Sequence, residues 1–153
     1  QFLTLLAALP VAACGFTPAY APGAAGARLR GRIAMQEPHT RDEFALAARL
    51  ETRLGRGESA AYDLAYTLTT ARDSGGISPD NEITRYTLRG EATYTLSDRA
   101  TGTRVTGGTV KNFTSWSATG STVAGIAAQE AAAERLMTIL ADDIVARLLA
   151  ETP

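Results

Sequence analysis

Two residue types that carry much of enzyme and metal chemistry occur only once each in this chain. Cysteine is found only at Cys14 and histidine only at His39. A lone cysteine excludes an internal disulfide. A zinc-type site needs several Cys, His or carboxylate ligands, and a nucleophilic triad needs a histidine with its partners. We therefore predict no metal site, no cofactor and no enzymatic activity.

Lysine is almost absent as well, and charge of neither sign is in excess. Lys111 is the only lysine, and 15 basic residues face 16 acidic ones, for a formal net charge of −1. A nucleic-acid-binding protein normally shows a basic surplus, so no nucleic-acid partner is expected. The 153 residues suffice for one domain with a real core.

No apolar run in the sequence is long enough to cross a bilayer as a helix, which takes about 20 residues. The longest is the uncharged run 2–13, which ends in small residues just before Cys14, as secretory signal peptides do. Val11-Ala12-Ala13-Cys14 resembles the lipobox of bacterial lipoproteins, whose cysteine thiol receives a diacylglycerol. The competing interpretation is an apolar helix or strand in which Cys14 is a small buried hydrophobe.

The residues after Cys14 favour the lipoprotein interpretation, because they are rich in Gly, Pro and Ala and are typical of an extended tether. We predict three segments: a truncated lipoprotein signal peptide at 1–13, a lipidated tether at 14–27, and a single α/β sandwich domain at 28–153. Gly15 stands where, by analogy with bacterial lipoproteins, an aspartate would indicate retention in the inner membrane. The expected destination is therefore the outer membrane.

Hydrophobic periodicity predicts four strands and two helices in the domain. Alternating apolar and polar residues indicate strands at 28–36, 59–73, 82–98 and 104–116, and helical spacing indicates helices at 40–55 and 121–151. Thr40 and Glu43 form a capping-box pattern, and Phe44 and Ile126 belong to the apolar stripes of the two helices. The resulting fold class is α+β: a two-layer sandwich in the order βαβββα, with both helices packed on one face of a four-stranded sheet.

Two details of this sheet are also predicted. The Gly- and Pro-containing residues 74–81 are typical of a loop, and Gly90 is the natural position for a bulge in the long third strand. The Gly107-Gly108 pair is expected to interrupt the fourth strand.

The outward face of the sheet is predicted to carry most of the candidate binding residues. Arginine binds phosphate bidentately, so basic side chains on neighbouring strands form a candidate site for lipid phosphates or for a partner. The candidates are Arg28, Arg30 and Arg32 on the first strand and Arg85, Arg89 and Lys111 on later strands, with Arg104 beside them. The competing interpretation is a plain solvated face.

Taken together, the lipobox, the Cys-Gly-Phe-x-Pro-x-Tyr stretch at 14–20 and the element order resemble the LptE family of lipopolysaccharide-assembly lipoproteins. The 86–96 strand and the "VKNFTSW" stretch at 110–116, followed by a long helix, fit this family too. The resemblance implies a non-enzymatic lipoprotein of the outer membrane that plugs the LptD β-barrel and assists its assembly. It also implies binding of lipopolysaccharide and its insertion into the outer leaflet. The implied partners are LptD, lipopolysaccharide and, through acyl chains, the outer membrane.

Two other functions fit the same residues. One is an auxiliary lipoprotein of a lipid-transport ABC system, which also combines a lipobox with a small α/β domain. The other is a lipid-anchored hydrolase, for which His39 would be the only imidazole base.

Overall fold

The computed structural model describes residues 24–77, 79–80, 82–118 and 120–151. The predictions made for Cys14 and for the signal peptide lie outside these residues. The elements in chain order are α1 (Ala25–Leu29), β1 (Ile33–Met35), α2 (Arg41–Leu54), β2 (Tyr62–Ile77), β3 (Ile83–Asp98), β4 (Arg104–Ser117) and α3 (Thr122–Glu151). The predicted α+β class and the order of the long elements are confirmed, with α1 as an additional short helix.

The four strands form one mixed sheet in the order β1-β2-β3-β4. β1 runs parallel to β2 and pairs only over Ile33–Met35, whereas β2, β3 and β4 form a long antiparallel meander. Beyond Leu64 the side of β2 that faces away from β3 therefore has no strand partner among the described residues. The outer side of β4 has none there either.

The predicted first strand at 28–36 is wrong over its first half, where the chain forms α1 instead. Leu29 is fully buried against the core, and the chain then turns at Gly31, whose φ of 71° is a left-handed conformation that favours glycine. The turn is pinned to the end of α2, because the Gly31 N–H donates to the Leu54 carbonyl at 2.7 Å. Only after this turn does β1 begin.

α2 begins and ends where the capping signals place it. The Thr40 side chain accepts from the Glu43 N–H at 3.2 Å while the Glu43 carboxylate accepts from the Thr40 N–H at 3.3 Å, and Gly55 follows the last helical residue. The buried stripe is Leu46, Ala47, Leu50 and Leu54. Phe44 was predicted on this stripe, but it projects from the first turn and is 60% exposed.

α3 covers β3 and β4 on the same face of the sheet as α2, and the core lies between these layers. Even-numbered residues of β3 point at α3, and Gly90 is one of them. A Cβ atom built on Gly90 would lie 2.9 Å from Leu140 Cδ1 and 3.0 Å from Leu136 Cδ2. The prediction of a bulge at Gly90 is wrong: the residue is in register with Thr70 and Asn112, and the irregularity lies at Leu96/Ser97.

Residues 74–77 of the predicted 74–81 loop belong to β2, whereas 79–80 form a turn. Pairing continues from Ser74↔Tyr86 to Ile77↔Ile83, because antiparallel neighbours keep making ladder hydrogen bonds as long as both chains stay extended. Gly107 and Gly108 likewise lie within β4, opposite Thr95 and Tyr94, so they do not interrupt the strand.

Candidate functional site: an open sheet face and two contrasting ends

One face of the sheet is left uncovered by the described helices. Side chains alternate across a strand, so odd-numbered residues of β2, β3 and β4 point away from α2 and α3. We call this surface the open sheet face. Its members are Ala65, Thr67, Thr69, Ala71, Asp73, Arg85, Thr87, Arg89, Glu91, Thr93, Thr95, Gly107, Thr109, Lys111, Phe113 and Ser115.

The open sheet face is rich in hydroxyl groups that bond to one another. Thr93 Oγ1 and Thr109 Oγ1 are 3.0 Å apart, and Thr87 Oγ1 and Ser115 Oγ are 3.1 Å apart, in both cases across the β3–β4 pair. Thr67 lies opposite Thr93 on the other side. Cross-strand hydroxyl pairs of this kind stabilise a sheet, and they leave a flat, polar, uncharged area at its centre.

The charges on the open sheet face are largely neutralised within the face itself. Arg89 forms an ion pair with Asp73 on β2, and Lys111 Nζ lies 2.9 Å from Glu91 Oε2 on β3. Arg85 has no ion pair with any residue that the structure describes. Phe113 lies on β4 opposite Arg89 with 62% of its surface exposed. It lines a shallow depression of about 450 Å³ together with Arg89, Glu91 and Lys111.

The six predicted binding residues do not form one surface. Arg85, Arg89 and Lys111 share the open sheet face. Arg28, Arg30 and Arg32 lie instead in α1 and just after it, at the end of the sheet where β2 begins with Tyr62. Arg85 is opposite Gly75, 13 residues further along β2, which corresponds to about 43 Å at 3.3 Å per residue.

The molecule therefore has two different ends. The α1 end comprises 28–32, the α2–β2 connection 54–62 and the β3–β4 turn 98–104. These segments are bonded together: the Arg32 carbonyl accepts from the Ala61 and Tyr62 N–H groups at 2.8 and 3.1 Å, and the Arg99 N–H donates to the Ala61 carbonyl at 2.9 Å. The opposite, aromatic end comprises 83–88, 113–118 and the first two turns of α3.

The aromatic end carries a stacked pair that the sequence pattern did not single out. The rings of Tyr86 and Trp116 stack with centroids 5.4 Å apart, and the Arg72 guanidinium lies 5.7 Å from the Tyr86 centroid. The only available signal was that both residues belong to the inward faces of their strands. Ile126 was predicted on the buried stripe of α3, but it is 56% exposed because α3 at this point extends beyond the N-terminus of α2.

A groove of about 560 Å³ lies on the helix side, between the N-terminus of α2 and α3. Arg41 Nη1 bridges it to Glu130 Oε1 at 2.6 Å, and this contact lowers the pKa of the Glu130 carboxyl. Leu88 and Ile126 contribute apolar surface to the groove.

An ion-pair cluster fastens α2 to α3 along their shared side. Arg49 Nε and Nη2 donate to the two Asp142 oxygens at 3.0 and 2.8 Å, and Arg53 Nη1 donates to Asp142 Oδ1 at 2.7 Å. The hydrogen bonds from Arg49, followed by the charges of both arginines, lower the pKa of the Asp142 carboxyl against the opposing effect of its partial burial. The cluster is structural, since both ends of it belong to the helix–helix contact.

The arrangement of titratable groups offers no recognisable catalytic set among the described residues. His39 is exposed, and its backbone N–H donates to Glu43 Oε2 at 2.7 Å as part of the start of α2. No group of three or more His, Cys, Asp or Glu side chains there could hold a metal ion. Burial raises the pKa of the Tyr66 and Tyr94 hydroxyls. The two residues are register partners on β2 and β3 and belong to the core.

None of the described helices combines the length and apolar content needed to cross a membrane. The described residues form an α+β sandwich with one hydroxyl-rich face, one end that carries the stacked Tyr86–Trp116 pair and one arginine-rich end.

Solved structures of bacterial lipoproteins share this fold. A candidate lipoprotein from Caulobacter crescentus CB15 superposes with a TM-score of 0.68 at 23% identity, covering 82% of this chain and 93% of that one. The minor lipoprotein of Acinetobacter baumannii gives 0.61 at 22% identity, covering 78% and 91%. The rare lipoprotein B of Shewanella oneidensis gives 0.60 at 13% identity, covering 78% and 92%.

The sequence itself assigns the family. Residues 27–148 match the family described as LptE, Lipopolysaccharide-assembly, and the chain belongs to that family. A search of the curated proteins finds no match.

Proposed function

We propose that this protein is an outer-membrane lipoprotein, acylated at Cys14, that acts as plug and assembly partner of the LptD β-barrel. In this role it takes part in the transport of lipopolysaccharide and its insertion into the outer leaflet, without catalysing a reaction. Membership of the lipopolysaccharide-assembly family over 27–148 is the observation that carries the proposal.

The open sheet face supports a position inside a barrel. The lumen of a membrane β-barrel is polar, and a plug needs a surface that can exchange water for polar wall contacts. The cross-strand hydroxyl pairs Thr93–Thr109 and Thr87–Ser115 supply hydrogen-bond donors and acceptors that carry no net charge, so no charge has to be desolvated when a partner covers them. The ion pairs Asp73–Arg89 and Glu91–Lys111 neutralise the charges on the rest of the face, so that this area also carries little net charge.

Lipopolysaccharide contact is proposed for Arg85 first, with Arg89 and Lys111 next to it. Arg85 keeps its guanidinium free of carboxylates among the described residues, so it can bind a phosphate without giving up an ion pair. Arg89 and Lys111 would have to break their ion pairs with Asp73 and Glu91 before they could bind a phosphate. The loss of these ion pairs reduces the binding free energy that the two residues contribute.

Depletion of the protein tests the proposal. The expected result is a parallel fall in mature LptD barrel and in lipopolysaccharide at the cell surface. The matched control is re-expression of the intact chain, which restores both. Unchanged barrel and unchanged surface lipopolysaccharide after depletion would contradict the proposed function.

Co-purification separates the plug from the ABC-system alternative. A tagged chain extracted from native membranes in mild detergent should bring down a large outer-membrane barrel protein. Recovery of an inner-membrane ATPase complex in its place would favour the auxiliary lipoprotein. Intact-mass analysis of the same sample tests acylation, since a lipidated chain starts at Cys14 and carries the added mass of its acyl chains.

A further inference from the structure

The three arginines that do not belong to the open sheet face lie together at the α1 end. Arg28 is in the last turn of α1, Arg30 caps it, and Arg32 follows the Gly31 turn. All three side chains are exposed, and none forms an ion pair with a residue that the structure describes. In contrast, Arg41, Arg49, Arg53 and Arg89 all have carboxylate partners.

This arginine segment is held rigidly. The Gly31 N–H donates to the Leu54 carbonyl, the Ser59 N–H donates to the Gly31 carbonyl, and the Arg32 carbonyl accepts two N–H groups from the start of β2. The buried Leu29 side chain fixes the segment from the inside. The charges are therefore presented by a fixed turn whose backbone is bonded on both sides.

The acidic residues around the turn do not cancel its charge. Glu51 lies 3.7 Å from Arg56, and Asp63 lies 3.7 Å from Arg99, so each of these carboxylates faces an arginine of its own. Asp98 is occupied by the turn N–H groups of Ala100 and Thr101. The other acids at this end are Glu58 on the α2–β2 connection and Glu151 at the end of α3, whose carboxylate accepts from Thr106 Oγ1 at 2.7 Å. Two carboxylates against three arginines leave a basic surplus.

The position of the three arginines along the chain indicates that they lie close to the membrane surface if Cys14 is acylated. Only nine residues lie between Cys14 and Ala24, where the described structure begins, and the ten residue steps from one to the other reach at most about 35 Å in an extended chain. If acyl chains on Cys14 lie in a bilayer, the α1 end is the nearest part of the domain to its surface. The aromatic end is separated from it by α3, whose 30 residues span about 45 Å.

We propose that Arg28, Arg30 and Arg32 form a docking surface for the anionic phospholipid headgroups of the leaflet that holds the anchor. The proposal rests on the acylation of Cys14 proposed above. Stable membrane anchoring commonly combines acyl chains with a basic patch, and each basic residue near an anionic surface adds about fivefold to partitioning. Besides adding affinity, the patch sets the orientation in which the domain stands on the membrane.

Vesicle co-sedimentation tests the patch separately from the anchor. The full chain carrying Cys14→Ser cannot be acylated, so any binding comes from the protein surface. With vesicles of phosphatidylethanolamine and phosphatidylglycerol we expect binding that weakens as salt shortens the screening length from about 10 Å at 0.1 M. With neutral phosphatidylcholine vesicles we expect none.

Two triple variants in this background make the test residue-specific. Arg28→Gln/Arg30→Gln/Arg32→Gln should reduce binding to the anionic vesicles at least tenfold. The matched control Arg41→Gln/Arg72→Gln/Arg135→Gln removes the same formal charge from exposed positions on α2, β2 and α3, away from the α1 end, and should leave vesicle binding unchanged. Equal losses in both variants would overturn the proposal, because they would mean that only net charge matters.

A charge-preserving variant and a second ligand close the test. Arg28→Lys/Arg30→Lys/Arg32→Lys should retain vesicle binding, since a headgroup surface attracts point charges, and circular dichroism should show every variant folded. If the Gln variant instead lost binding to lipopolysaccharide micelles while keeping phospholipid binding, the phospholipid assignment would be wrong. An unmodified Cys14 in native membranes would remove the anchor proposed above, whereas failed vesicle binding with an acylated Cys14 would remove only the docking surface.

Discussion

Gly90 is a residue whose lack of a side chain is required by packing. It lies beneath α3, where Leu136 and Leu140 are fully buried and occupy the space that a Cβ would need. Protein interiors are close-packed, so extra methyl groups here must displace both leucines. The sheet and the helix approach each other closely because this position is glycine.

We expect Gly90→Val to destabilise the fold by about 2 kcal/mol, within the range observed for overpacking a core. Urea unfolding followed by circular dichroism measures the difference. Gly75→Val is the matched control, because Gly75 is a strand residue with no atom within 4 Å of its added Cβ. A Gly90→Val protein as stable as Gly75→Val would contradict the close approach of α3 to β3.

Asp142 is the residue through which α2 and α3 are joined electrostatically. Its pKa is lowered in the folded protein, so its charge stabilises the fold at pH values above the unfolded-state pKa of about 3.9. That contribution is lost as the pH falls through the lowered folded pKa. The ion pairs of Asp142 with Arg49 and Arg53 are partly solvated, so their contribution to the free energy of unfolding is limited to about 1 kcal/mol.

The expected result is that Asp142→Asn unfolds about 1 kcal/mol more easily than the wild type at pH 7, and that the difference shrinks below about pH 4. Urea titrations at pH 7, 5 and 3 measure it. Glu58→Gln, which neutralises an exposed carboxylate without an ion pair in the described structure, should show no comparable loss at pH 7. A difference for Asp142→Asn that stayed constant across the three pH values would exclude the ion-pair explanation.

At the scale of whole elements, α2 shows how local signals determine a helix. Thr40 and Glu43 satisfy N–H groups at its start that would otherwise have no partner. We expect Thr40→Ala to cost about 1 kcal/mol, which lowers the melting temperature by about 2–4 °C for a domain of this size. The control is Thr52→Ala inside α2, where alanine is the better helix former; an equal loss there would argue against the cap.

Elements that follow a local rule were predictable, and elements that depend on tertiary contacts were not. α2, β3 and α3 have long unbroken periods, so the sequence located them. The arginine-rich turn also alternates, but Leu29 gains more by packing in the core from α1 than a longer β1 would gain at the sheet edge. The glycines at 75 and 76 looked like a loop, yet Gly75 pairs with Arg85 inside β2, and Gly76 takes a left-handed φ of 77° between the paired residues Gly75 and Ile77.

The candidate site divides in the same way. Period two placed Arg85 and Arg89 on one face of their strand, whereas the face of Lys111 could not be read because the register of the fourth strand after Gly107 and Gly108 was open. Periodicity could not show that Asp73 and Glu91 neutralise two of them, because this depends on which strands are neighbours and in which register. The separation of Arg28, Arg30 and Arg32 from that face follows from the turn at Gly31, which the alternating pattern concealed.

For the molecule as a whole, the proposed plug makes the centre of the open sheet face a contact surface. Thr93→Lys would place an unpaired charge against the wall of a barrel, and burying such a charge is costly. We expect at least a tenfold lower yield of co-purified barrel, with the isolated domain still folded.

The control is Ala131→Lys, which adds the same charge on the exposed side of α3. The yield of barrel should be higher with Ala131→Lys than with Thr93→Lys. Equal yields would show that the open sheet face is not the main contact, even if the barrel partner itself were confirmed.

The two unpaired sheet edges have a consequence for the protein before it meets a partner. Within the part of the chain that the structure describes, β1 covers only three residues of β2, and no strand pairs with the outer side of β4 along its 14 residues. Extended edges of this kind are templates for unwanted strand addition between copies. Newly made chains that accumulate with these edges uncovered are therefore at risk of self-association, and a bound partner that covered an edge would lower that risk.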